Sequence, residues 1–157
     1  MIRILIVGIG NPLRSDDGLG WHVARELLHE LARGLANDDV QVVATQQLMP
    51  EISDRASRAE LVLFIDAARS GNPGTLKCEQ IAPAAPASRH SHDLTPAGIL
   101  KLAQELYGRC PAAYLLTVAG ESFVTGDTLS ATVAAAIPAL NAKIRDFIDG
   151  NAGKKIE

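Results

Sequence analysis

The chain has 157 residues, 47% of them apolar and 21% charged, with a net charge of −3. That length suits one domain with a single substantial core, and the slight acidity argues against a general affinity for nucleic acid or anionic membranes. The two cysteines, Cys78 and Cys110, provide neither a disulfide framework nor a C-x-x-C metal clip, so both are expected as buried small hydrophobes.

Residues 2–7 are an almost unbroken apolar run, the pattern of a central strand in a parallel sheet. The run lacks the basic region and cleavage site of a signal peptide and is too short to span a bilayer. No later stretch is long and apolar enough either, and a cytoplasmic protein is expected. There follows Gly8-Ile9-Gly10-Asn11-Pro12-Leu13-Arg14-Ser15-Asp16-Asp17-Gly18-Leu19-Gly20, and then a helix over 21–35 with Val23, Leu27, Leu28 and Leu31 at helical spacing. The stretch is therefore a strand-to-helix loop at the carboxyl end of a central strand, where open α/β sheets place their ligands. Two adjacent carboxylates there are unusual, because dinucleotide sites keep theirs at the end of the next strand.

Residues 34–39 have a turn composition, and 40–45 form a second, β-branched strand. Pro50 and Glu51 open a short helix to Arg58. A third strand, 61–65, is apolar throughout and so central, and it is expected to stop at Asp66. Residues 75–81 read as a short strand near an edge, and 82–91, with two prolines, as an irregular loop. Thr95 is placed to cap a helix with Pro96 at its first position. Residues 112–118 form another buried strand, 120–128 a loop, and Ser130 caps a last helix that Pro138 should kink. The alternation predicts one α/β domain over 1–150: a mostly parallel twisted sheet of about five strands with helices on both faces. Residues 151–157 read as a polar C-terminal tail. Little aromatic content and no apolar helix face left over make a monomer the expectation.

Asp17 follows the first strand, Asp66 the third, and His92 lies on the loop before the third helix. Two carboxylates and an imidazole suit zinc, nickel or iron(II) and leave coordination positions open. Each also has an ordinary explanation. Asp16 and Asp17 can cap the first helix, Asp66 can accept a backbone hydrogen bond in a turn, and His90 is as good a ligand as His92 on spacing alone. Other chemistries fit poorly. The Gly8-x-Gly10 pair has Leu13 where a dinucleotide loop needs its third glycine, and no acidic residue follows the second strand, which runs into Ala44-Thr45-Gln46-Gln47. Ser15, Ser91 and Ser122 lack a G-x-S-x-G context, Cys110 has no evident base, and H-E-x-x-H is absent.

The stretch 8–20 strongly resembles the opening motif of the hydrogenase maturation proteases, endopeptidases that trim the large subunit of [NiFe] hydrogenases. Phe64-Ile65-Asp66-Ala67-Ala68 is similar to that family's second motif, Ser91-His92-Asp93-Leu94 to its histidine motif, and Val118-Ala119-Gly120-Glu121-Ser122-Phe123 with Leu129-Ser130 to its late loop and helix start. The resemblance implies that Asp17, Asp66 and His92 are the catalytic and metal-recognising set, with Asp16 and Asn11 shaping the loop. It also implies nickel as the metal, already installed in a hydrogenase large-subunit precursor whose C-terminal extension is then removed. It leaves open whether nickel polarises the carbonyl or activates water, or an aspartate acts as base. A non-catalytic nickel or iron carrier would use the same residues. Many family members carry Asp-Gly-Gly-Thr after the second strand, where this chain has Thr45-Gln46-Gln47-Leu48-Met49-Pro50-Glu51. The difference bears on which precursor is bound: Gln46 and Gln47 suit a peptide backbone, Leu48 and Met49 an apolar side chain.

Overall fold

A computed structural model describes residues 1–33, 39–85 and 94–150. Five strands, β1 (Ile2–Ile9), β2 (Val40–Thr45), β3 (Ala59–Ala68), β4 (Leu76–Gln80) and β5 (Ala112–Ala119), form one sheet in the order β2-β1-β3-β5-β4. All neighbours are parallel except β4, which runs antiparallel to β5 at the edge. The helices are α1 (Leu19–Ala32), α2 (Ile52–Ser57), α3 (Pro96–Tyr107) and α4 (Ala131–Ile148).

Strand residues alternate between two cores. Ile4 and Ile6 of β1, with Leu63 and Ile65 of β3, pack against Leu19 and Val23 of α1 and Leu140 and Ile144 of α4. Leu5 and Val7, with Val62 and Phe64, pack against Ile52 and Ala56 of α2 and Ile99 and Leu100 of α3. The central strands are apolar on both sides because both sides are covered. The α/β, mostly parallel architecture is as expected.

From β1 the chain passes to β2 on one side, then returns past β1 to β3 on the other. The strand order therefore reverses between β1 and β3, the point where open sheets form a crevice beyond their carboxyl ends. The β1–β3 ladder ends at Gly8 and Ile65, whereas β3 continues beside β5 through Asp66, Ala67 and Ala68. Asp66 is thus not past the end of its strand, as the apolar run suggested. The β5 partner extends the strand by hydrogen bonding that hydropathy does not reveal.

Thr95 and Ser130 cap α3 and α4 as expected, accepting hydrogen bonds from the N–H groups of Gly98 and Val133. Helix α4 runs through Pro138 without ending. Helix α1 begins two residues before Trp21, and no side chain caps it: its N-cap is Gly18. The capping role expected of Asp16 and Asp17 is therefore not found. Both cysteines are half-buried rather than buried. The expected tail 151–157 lies outside the described residues.

Candidate functional site

The glycines of the 8–20 stretch let α1 sit directly on the sheet. A Cβ on Gly20 would run into the backbone carbonyls of Ile65 and Ile9, so only glycine lets the helix start meet the ends of β1 and β3. Gly10 has φ +149°, and a Cβ there would strike the Asp17 carbonyl. Beyond Gly10 the chain folds on itself. The Asn11 side chain accepts from the Leu13 N–H at 2.9 Å, and the Asn11 N–H donates to Asp17 Oδ2 at 3.0 Å. A single 3-10 turn, Ser15–Gly18, then carries both aspartates into α1.

The two aspartates part company there. Asp16 is fully buried and points toward the other end of the chain. It accepts the N–H groups of Glu121, Ser122 and Ser130 and the Ser130 hydroxyl, at 2.7 to 3.0 Å. Burial raises the pKa of its carboxyl, but the Ser130, Glu121 and Ser122 donors outweigh that effect and hold it below the ordinary value. Ser15, in the left-handed region at φ 50°, is held to the same late loop through the carbonyls of Gly126 and Val124.

Asp17 faces the crevice instead, with Asp66. Both line a cleft of about 1050 Å³ with Gly10, Asn11, Arg14, Arg69, residues 46–50, and Leu94, Thr95 and Pro96 at the start of α3. Asp66 accepts the N–H of Ala67 at 2.8 Å, the local bond anticipated for it. That bond does not offset its surroundings. Burial pushes the Asp66 carboxyl up to about 7; the Ala67 N–H opposes this in part, the nearby Asp17 carboxylate adds a smaller rise, and Arg69 opposes it least. A carboxyl of this kind exchanges its proton near neutral pH, or gives it up to an arriving cation.

The sequence reading missed Arg69. Its guanidinium is 3.4 Å from Asp17 Oδ1 and stacks 4.6 Å from the ring centre of Phe123. The one available signal was position, three residues beyond Asp66 at the end of β3. The loop 46–50 does line the cleft, but Leu48 is only 6% exposed and belongs to the core, so Met49 is the apolar residue with surface to offer. His92, and His90 with it, lies outside the described residues. Leu94, two positions further along the sequence, lines the cleft. Among the described residues no three His, Cys, Asp or Glu side chains group closely enough to hold a metal, and none of the helices is long and apolar enough to cross a membrane.

No family model and no curated protein matches the sequence. Solved structures do. The [NiFe] hydrogenase maturation protease HycI from Thermococcus kodakarensis aligns over 94% of this chain and 93% of its own, with a TM-score of 0.72 and 24% identity. The chain has the fold of the hydrogenase maturation proteases. The hydrogenase 2 maturation peptidase from a Thaumarchaeota archaeon matches with a TM-score of 0.64 and 25% identity over 90% of this chain and 95% of its own. The hydrogenase maturating endopeptidase HybD from E. coli matches with a TM-score of 0.67 and 22% identity over 94% of both chains. The maturation-protease fold thus spans the crevice and the late loop alike.

Proposed function

We propose that this protein is an endopeptidase that removes the C-terminal extension of a [NiFe] hydrogenase large-subunit precursor after nickel has been inserted. The observation that carries the reading is the Asp17–Asp66 pair at the reversal point of the sheet, facing an open cleft in a maturation-protease fold. Nickel belongs to the substrate in this account. Asp17, Asp66 and His92 offer it part of a coordination shell, and the precursor supplies the rest. His92 takes its place in this set from the Ser91-His92-Asp93-Leu94 resemblance alone.

The donor set suits such a cation. Two carboxylates lie close enough to interact, one of them with its pKa raised by burial and by the other, and a divalent ion relieves that repulsion as any remaining proton leaves. Discrimination follows: a precursor without nickel lacks the anchor that aligns its peptide bond and escapes cleavage. The exposed side of the cleft, with Gln46, Gln47 and Met49, receives the extension. The protein acts as a cytoplasmic monomer on a folded partner subunit.

The reading is tested by expressing the precursor with this chain or with its Asp17→Ala variant and weighing the large subunit. Wild type yields the shortened subunit and the variant the full-length one. Full-length subunit in both would overturn it.

A further inference from the structure

Arg69 stands between the acidic pair and the late loop. Its side chain is 62% exposed, yet it is held on two sides, by Asp17 Oδ1 at 3.4 Å and by the Phe123 ring at 4.6 Å. The Phe123 ring is itself fixed. It lies against Gly120 so closely that a Cβ there would clash at 2.4–3.1 Å with several ring atoms. The neighbouring Glu121 and Ser122 N–H groups are bound by Asp16. An exposed arginine seldom has this much support, since an ordinary surface ion pair contributes little and loses side-chain entropy. Here a chain of contacts runs from Asp16 through the late loop and an aromatic face to a cation parked beside Asp17.

We propose that Arg69 is a resident counter-cation of the Asp17–Asp66 pair, which an incoming metal must displace. It occupies Asp17 Oδ1 while the site is without metal, and its charge opposes capture of a free divalent ion. A metal presented by a bound precursor brings contacts of its own and meets the cost of displacing Arg69, whereas a free ion does not. The arginine therefore sharpens the distinction between loaded precursor and stray metal.

This inference rests on the reading of Asp17 and Asp66 as groups that meet the metal, and it predicts a gain where a merely supporting residue would give a loss. Nickel(II) alone is titrated calorimetrically into the full chain and into Arg69→Gln, Arg69→Lys and Arg14→Gln. Arg14 lines the same cleft and reports the general effect of removing one positive charge. Arg69→Gln should bind nickel tighter by about fivefold or more, Arg69→Lys should stay near wild type, and Arg14→Gln should move less than Arg69→Gln. Phe123→Leu, which frees Arg69 from the ring, should shift affinity in the same direction by less and serves if Arg69→Gln does not fold. Unchanged or weaker binding by Arg69→Gln, equal tightening by Arg14→Gln or by Arg69→Lys, or no binding by any of the proteins would overturn the proposal. Failure of the wild type as well as every variant to process a precursor, with the order of affinities as stated, would count against the endopeptidase reading and not against the counter-cation.

Discussion

Asp16 and Ser130, 114 positions apart in the sequence, are joined by two hydrogen bonds: the Ser130 N–H to Oδ1 at 2.7 Å and its hydroxyl to Oδ2 at 2.8 Å. Ser130 in turn accepts the Val133 N–H and caps α4. The carboxylate therefore sits at the positive end of the last helix rather than the first. Adjacent aspartates have divided the labour: Asp16 fixes the loop to the late segment, which frees Asp17 to face the cleft.

Removing that tie should be costly, because Asp16 is itself fully buried and satisfies three backbone N–H groups in partly buried hydrogen bonds. Asp16→Ala should lose about 3 kcal/mol or more of stability, and Ser130→Ala about 1–2 kcal/mol. Chemical denaturation of both and of the double variant checks this. Coupling is expected, with the double variant losing less than the two single losses added together.

The acidic pair makes stability depend on pH through Asp66. Its carboxyl has an ordinary value of 3.8 and is raised to about 7 in the fold. Its contribution is thus fully present below pH 3.8 and is lost as the pH rises through 7, because the unfolded chain ionises first. Asp66→Asn keeps a neutral group in place. Its melting temperature relative to wild type should rise between pH 4 and pH 7 and then level off, as roughly expected from linkage. A difference that does not vary with pH would contradict the assignment.

Gly20 is where α1 touches both central strands, and the atoms a Cβ would meet are backbone carbonyls that cannot swing away. Gly20→Ala should destabilise by about 3 kcal/mol or prevent folding. Gly108, whose Cβ would meet nothing, is the comparison: despite its φ of +72°, Gly108→Ala should lose only about 1 kcal/mol. Thermal unfolding of the two variants gives the order.

Asp17→Ala and His92→Ala should each reduce precursor processing by roughly 100-fold or more, with far-UV circular dichroism unchanged. Asp17 is held by one backbone N–H and one exposed arginine, contacts too few to carry the fold. Normal processing by either variant would remove it from the proposed set.

Much of this was legible in the sequence because the signals were local. Apolar runs gave the buried strands, and Thr95 and Ser130 announced their helices by hydroxyls at the N-cap. The spacing of Asp17 and Asp66 after two central strands placed both at one crevice. What stayed hidden was long-range. The Asp16–Ser130 tie joins opposite ends of the chain, and the two residues of β3 past Asp66 exist because β5 pairs with them. Arg69 gained its meaning from Phe123, 54 positions later in the sequence, and an exposed arginine after a strand carries no mark of that by itself. Leu48, apolar beside a cleft, looked like a contact for substrate and proved to be core, since burial of a loop residue depends on which way the loop turns.

The most direct test is the intact mass of a purified large-subunit precursor after incubation with this protein, with and without prior nickel loading. The account predicts loss of a C-terminal fragment from the nickel-loaded precursor and none from the unloaded one. Cleavage of both alike would contradict recognition of the metal. An intact loaded precursor beside a folded protein that retains nickel would contradict the endopeptidase reading and favour a metal carrier.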